Sequence, residues 1–449
     1  MDTPTPRDLD DRNIPLATLA AYGGLAFPLA AGFIALQVIV PTFYAQALGL
    51  SLSAVGGILL VARLWDMFTD PLVGYLSDHT PARWHRRKLW IVAGAPLVGA
   101  SVWALFNPPA GVGNGYLLWG AIAIYIAGTM TLVPYNAWGA ELSPDYHQRS
   151  RVAGSRVVFG LAGTLAALLL IDNTSNDALQ ASLLAISVLV LAGLLVTVPT
   201  AALAVPDDSQ ASHQGNSLRG AVQLLTRPSP FRRLLLAFLL NGVANAIPAT
   251  LFLLFVTHVL EAPALAGPIL FLYFVCSAVS VPAWVWVSRR WGKHQTWCAA
   301  VVGSCLFFAG APFLGAGDTA WYVAIVVGTG LMIGADLALP SAINGDLIEW
   351  DAHENGRRRP GLFFALWGTA SKLAYALAVG LIFPLLDLIG FDATAAANTP
   401  DAVRTLALLY GAPSILFKLG AVALMRHFPI DEAEHRRIRL ALAQSGQAA

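Results

Sequence analysis

Twelve stretches of about 20 mostly apolar residues constrain this chain more than any other feature. They run approximately over 17–40, 52–77, 88–107, 115–140, 153–171, 180–204, 231–259, 265–288, 296–315, 319–345, 361–388 and 402–426. Segments of that length are stable in a bilayer, where a helix satisfies its own backbone hydrogen bonds. Charged residues make up 12% of the chain, half the roughly 25% of a soluble domain. A soluble fold is therefore excluded. The expected class is an all-α membrane protein with twelve transmembrane helices.

The breaks between segments alternate in charge. Arg83, Arg86, Arg87 and Lys88 follow the second segment, and Arg149 and Arg151 follow the fourth. Arg219, Arg227, Arg232 and Arg233 follow the sixth, Arg289, Arg290 and Lys293 the eighth, and Arg357, Arg358 and Arg359 the tenth. The other breaks hold acids instead: Asp172, Asp177, Glu261, Asp318, Asp387 and Asp392. Basic loops stay on the cytoplasmic side. Both termini are therefore expected in the cytoplasm, in a bacterial-type inner membrane. The first 16 residues are polar and carry no secretory signal pattern. Cys276, Cys298 and Cys305 all fall in apolar segments, with no metal or disulfide spacing. The short basic clusters give no nucleic-acid footprint, and no cofactor motif is present. The expected partners are the bilayer, a small solute and a coupling cation, with the chain working as a monomer.

Residues 205–230 form the longest polar interruption and read as a mobile cytoplasmic tether. They divide an N-terminal six-helix bundle, 1–204, from a C-terminal one, 231–428, followed by a tail, 429–449, that could form a short interfacial helix. Six plus six helices around a cytoplasmic linker is the major facilitator pattern, with its solute site near the midplane between the halves. No repeat between the halves is visible in the residues themselves.

Charges inside the segments come next, because each carboxylate near a bilayer centre costs roughly 2.5–3.5 kcal/mol on insertion scales. Asp66 and Asp70 lie in the second segment, VARLWDMFTDPLVGYLSD, at spacing i, i+4. They share one helix face and can approach one ion. Arg63 is placed to pair with Asp66. Lys372, in the eleventh segment, has no acid on its own helix and is expected to face the two acids across a central cavity. A static charge network is the competing explanation, but apolar replacements usually pack as well or better. Lys418 lies toward the cytoplasmic end of the last segment, where snorkelling explains it. Asp346 faces the cytoplasm or pairs with Arg357–Arg359. Asp336 lies deeper, with no reading that separates a functional from a structural role.

Three blocks carry a resemblance: VARLWDMFTDPLVGYLSDHTPARWHRRKLWIVAGAP, VPYNAWGAELSPDYHQRSRVAGSRVVFGLAG and PSAINGDLIEWDAHENGRRRPGLFFALWGTASKLAYAL. In this order the chain resembles the glycoside–pentoside–hexuronide:cation symporters of the major facilitator superfamily. The resemblance implies that Asp66 and Asp70 bind the coupling cation, with Thr69 and Thr129 beside them. It implies that Arg156 contacts solute and that Lys372 joins the charge network. Tyr135, Asn136, Trp138 and Trp367 are further candidate solute contacts, on position alone. The loop after the second segment resembles the superfamily's cytoplasmic signature. Asp78, Arg86, Arg87, Glu141 and Arg149 are the expected gate, and His85 stands where a Gly is usual, so a different loop geometry is expected.

Three departures bear on the solute and the ion. Leu132 stands where an acid is found in sugar-transporting members, Ala30 where a second acid lies, and Asn136 where an aromatic stacks on sugar. A galactoside site is weakened. Losing a carboxylate also disfavours sodium, which wants several oxygens, whereas a proton needs one carboxylate. The expected function is H⁺- or Na⁺-coupled symport of a small solute, most simply a sugar or glycoside, by alternating access. A lysolipid or other amphipathic solute is the alternative, and a non-transporting sensor a remote one. No catalytic motif points to an enzyme.

Overall fold

The computed structural model describes residues 14–81, 85–142, 146–206, 229–355, 360–393, 398–426 and 428–430, with Glu434, Arg437, Ile438 and Ala441 of the tail. The side chains of residues 78, 79, 140, 141, 146–150, 360 and 361 lie outside that description. Thirteen α-helices are described: α1 Leu16–Gly24, α2 Ala26–Gln46, α3 Leu52–His79, α4 Arg86–Phe106, α5 Asn114–Glu141, α6 Tyr146–Leu168, α7 Asn176–Ala204, α8 Pro230–His258, α9 Ala266–Trp291, α10 Lys293–Phe308, α11 Thr319–Asn355, α12 Pro360–Leu388 and α13 Pro400–Met425. With α1 and α2 together forming the first, they give twelve spans long and apolar enough to cross a membrane.

Local chemistry sets the helix starts. The Ser51, Ser175, Ser229 and Thr399 side chains each accept a backbone N–H of the first turn, satisfying a donor that the helix itself cannot. Pro230 and Pro400 follow two of these caps, where a missing N–H costs nothing. His85, capping α4, adopts φ 49°. This is the left-handed region, which favours glycine. A side chain in the left-handed region costs roughly 1–2 kcal/mol.

The chain divides into two compact units, Met1–His213 and Gln214–Ala449. Within the first, α2 packs on α6 and α7, α5 on α3 and α4, and α4 on α7. Within the second, α8 packs on α12 and α13, α11 on α9 and α10, and α10 on α13. Adding six to each label of the first unit reproduces the pairing of the second. The repeat invisible in the sequence is therefore present in the packing, because it is specified by which faces are small or apolar rather than by residue identity.

Glycine sets one of these contacts. A Cβ at Gly163 of α6 would fall on the backbone of Phe27 in α2, and one at Gly160 would meet the Cβ of Ala26 and Ala30 at 3.8 and 3.9 Å. Small residues let membrane helices approach at backbone distance, where dispersion replaces the hydrophobic effect.

Three expectations change. The tenth span runs on to Asn355. At 37 residues it is about 55 Å long, well beyond a hydrocarbon core of about 30 Å. Asp346, inside that extension, gains a partner the sequence did not suggest, Lys293 at the start of α10 at 2.7 Å; the 357–359 arginines lie outside the described residues. Lys418 does not snorkel: its side chain is 5% exposed and held inside the second unit. The tail's expected interfacial helix falls largely outside the described residues, but Ile438 is buried with Ala352.

Candidate functional site

The i, i+4 spacing puts Asp66 and Asp70 on one face of α3, and the packing of α3 on α5 brings Thr129 against that face. Thr129 Oγ1 lies 2.7 Å from Asp66 Oδ1 and 2.8 Å from Asp70 Oδ1. Asp66 and Thr129 are buried, and Asp70 is half-buried. A threonine hydroxyl carries one proton, so it donates to one carboxylate only. The hydroxyl and the two carboxylates thus bring three oxygen acceptors to one point, which a cation can share. Thr69 donates to the Asp66 backbone carbonyl at 3.0 Å, which leaves its oxygen lone pairs for a ligand.

Pro71 and Pro134 lie inside α3 and α5. Proline has no N–H, so the carbonyls four residues earlier, at Met67 and Met130, lose their helical donor. Hard cations take carboxylate and hydroxyl oxygens together, and Asp66, Asp70 and Thr129 offer these.

Arg63, 5% exposed, places its guanidinium 4.6 Å from the Tyr125 ring centroid and 5.5 Å from that of Phe33. A cation over an aromatic face keeps its charge in an apolar setting. Tyr125 had no signal in the sequence beyond its aromatic character.

A second group forms where α5 meets α6. Arg156 Nη1 donates to Asn136 Oδ1, joining two of the candidate solute contacts. The other candidates have packing partners instead. Tyr135 and Tyr22 exchange hydroxyl-to-carbonyl hydrogen bonds at 2.9 and 3.1 Å. Trp138 is buried edge-on to Tyr22, and its indole donates to the Pro206 carbonyl at 2.9 Å. Trp367, in the second unit, stacks on Phe238 at 3.7 Å. Each ring packs in a core of its own unit with its polar atom or face engaged by these partners. Lys372 is half-buried on α12, in the second unit.

Of the expected gate, Arg86 and Arg87 are buried at the start of α4. Arg87 Nη1 donates to Ser77 Oγ at 3.0 Å, tying α4 to the end of α3. Lys88 Nζ donates to the Ala202 carbonyl near the C-terminal end of α7 at 2.7 Å, where a cation is favoured. Neither Ser77 nor Lys88 stands out as a gate residue in the sequence. The Asp78, Glu141 and Arg149 side chains lie outside the described residues.

Changing the Thr129 hydroxyl tests the first group directly. Thr129→Val is expected to weaken cation-dependent stabilisation about tenfold, the worth of one hydrogen bond to a charged group, while Thr129→Ser retains it. Equal cation titrations for both variants would take Thr129 out of the site.

The model of the MFS/sugar transport protein family matches residues 20–432. Sodium-dependent lysophosphatidylcholine symporter 1 of Gallus gallus is 22% identical over 430 residues, covering 86% of this chain and 81% of that protein. The inner membrane symporter YicJ of Escherichia coli (strain K12) is 25% identical, covering 90% and 89%. Among solved structures, the nucleoside transporter NupG superposes with a TM-score of 0.62 at 14% identity, over 92% of this chain and 100% of that one. The family match spans nearly the whole chain and the fold agrees with it: the protein belongs to the MFS/sugar transport protein family and is a multi-pass membrane transporter of the major facilitator superfamily, not an enzyme.

Proposed function

We propose that the protein is a cation-coupled symporter of an amphipathic, lysolipid-like solute. The observation that carries the coupling is the single Thr129 hydroxyl shared by two carboxylates. An H⁺ on one acid or a Na⁺ among the oxygens neutralises charge there. The charge neutralised, the site favours one conformation, and a solute that favours the same conformation binds more tightly by reciprocal linkage. The three sequence blocks that resemble glycoside–pentoside–hexuronide:cation symporters support the same role for Asp66 and Asp70.

Two observations favour an amphiphile over the sugar first expected. One is the similarity to a lysophosphatidylcholine symporter across most of both chains. The other is the setting of Arg156: Ala153, Gly154, Val157 and Val158 beside it on α6 are exposed and apolar. One guanidinium, joined to Asn136 and flanked by apolar surface, suits a phosphate joined to an acyl chain, since Arg binds phosphate through paired N–H donors. A sugar wants several polar groups and an aromatic face, and the candidate aromatics Tyr135 and Trp138 are packed inside the unit. The similarity to YicJ and the basic-loop pattern support an inner-membrane location with both termini cytoplasmic.

The test is ligand-induced thermal stabilisation of the purified protein. Lysophosphatidylcholine, other lysophospholipids, sugars and glycosides are screened with and without sodium at two pH values. Lysophospholipid stabilisation that grows with sodium or with falling pH is the expected result. Stabilisation by a glycoside alone would restore the sugar reading, and indifference to both cations would remove the coupling. Arg156→Ala is expected to weaken lysophospholipid binding roughly 10- to 100-fold, with Arg156→Lys intermediate. A titration unchanged in Arg156→Ala takes the phosphate elsewhere.

A further inference from the structure

The second unit contains a buried ionic cluster that none of the roles above uses. Asp336 of α11 accepts from Asn241 Nδ2 at 2.9 Å and from Asn245 Nδ2 at 3.0 Å through one oxygen. Its other oxygen accepts from Trp297 Nε1 of α10. Lys418 Nζ of α13 donates to Asn245 Oδ1 at 2.7 Å and to Asn241 Oδ1 at 3.3 Å, and lies 4.0 Å from Asp336 Oδ2. The Lys418 and Asp336 side chains are 5% and 10% exposed. Each amide therefore bridges ammonium and carboxylate, oxygen to one and N–H₂ to the other. The ammonium is surrounded by two neutral oxygens with a carboxylate behind them, the donor set of a monovalent-cation site.

The architecture does not require such a cluster. Helices α8, α10, α11 and α13 correspond to α2, α4, α5 and α7 of the first unit, by the shared packing pattern. There α2, α4 and α7 meet through small and apolar residues, and α4 meets α5 at the uncharged Thr131. A Cβ at Gly32 would meet Val190 and Val102 at 3.5 and 3.8 Å, and one at Gly99 would meet Leu191. A buried ion pair is no more stable than apolar packing and is often less so. Packing four helices therefore gives no reason of its own for the charge in the second unit.

We propose that Asn241, Asn245 and Asp336 form a monovalent-cation cage filled permanently by the chain's own Lys418 ammonium. The second unit then carries its cation covalently, while the first exchanges one at Asp66 and Asp70. Only that contrast rests on the proposed symport; the cage does not. Its chemistry is specific: a small primary ammonium or an alkali cation fits, and a quaternary ammonium cannot donate to the two amide oxygens.

The experiment is a melting series on purified wild-type protein and Lys418→Ala in chloride salts of sodium, potassium, methylammonium and tetraethylammonium at one ionic strength. The truncation leaves Asp336 without its cation and is expected to lower the melting temperature by about 10 °C. Methylammonium is expected to restore at least half of that loss, and tetraethylammonium none. The readout is the difference from wild type in the same salt, so cation binding at Asp66 and Asp70 cancels. A deficit in Lys418→Ala that is identical in all four salts overturns the cage. If Lys418→Ala does not accumulate, Lys418→Met and Asp336→Asn/Lys418→Met carry the test. The single substitution is expected to melt far lower than the double, which melts near wild type and ignores the salts. A single variant as stable as the double would mean that the carboxylate needs no cation, and the proposal fails.

Discussion

Asp66→Asn and Asp70→Asn are each expected to abolish gradient-driven accumulation while leaving the protein folded. A carboxylate in the membrane interior costs roughly 2.5–3.5 kcal/mol on insertion scales, and Asn keeps its shape without its charge. In the proposed symport the same change removes one of the two charges that draw a cation to Thr129. A charge-assisted interaction is worth roughly 1.5–3 kcal/mol, about 10- to 100-fold in cation affinity. The solute concentration ratio across a vesicle membrane is the measurement, paired with a melting curve. Full accumulation in either variant would take the acids out of the mechanism.

Gly163→Val is the second large effect, on folding rather than transport. A Cβ at Gly163 falls on the Phe27 backbone, which cannot rotate away as a side chain could. The helices α2 and α6 must separate, and with them the packing that Gly160, Ala26 and Ala30 make. Overpacking of this kind costs about 3 kcal/mol or more, a melting-temperature loss of roughly 6–12 °C. Gly154→Val on the same helix has nothing within 4 Å and serves as the control. Similar melting temperatures for the two variants would show that α2 and α6 do not meet through Gly163.

Much of the fold is legible in the residues. The tenth and twelfth spans illustrate where legibility stops. Apolar length locates both, yet the tenth runs ten residues further than its apolar stretch, because Lys293 partners Asp346 in the polar extension. Position along the last span suggests a snorkelling Lys418, and only the partners supplied by α8 and α11 account for its burial. A signal for that cluster does exist: Asn241 and Asn245 repeat the i, i+4 spacing of Asp66 and Asp70 inside an apolar segment. Amides carry no charge, so they draw less notice than acids. The solute candidates Tyr135, Trp138 and Trp367 illustrate another limit. A sequence position does not say which way a ring faces, and all three face packed interiors.

The sequence by itself determined the number of spans, the expected orientation and the face that Asp66 and Asp70 share. These follow from apolar length, loop charge and helical period, which act within one segment. Only the tertiary structure decided which side chains those acids meet, that two units repeat one packing pattern, and that the second unit holds a buried cation of its own. Those are contacts between segments far apart in the chain, and they depend on which helix faces are small enough to touch.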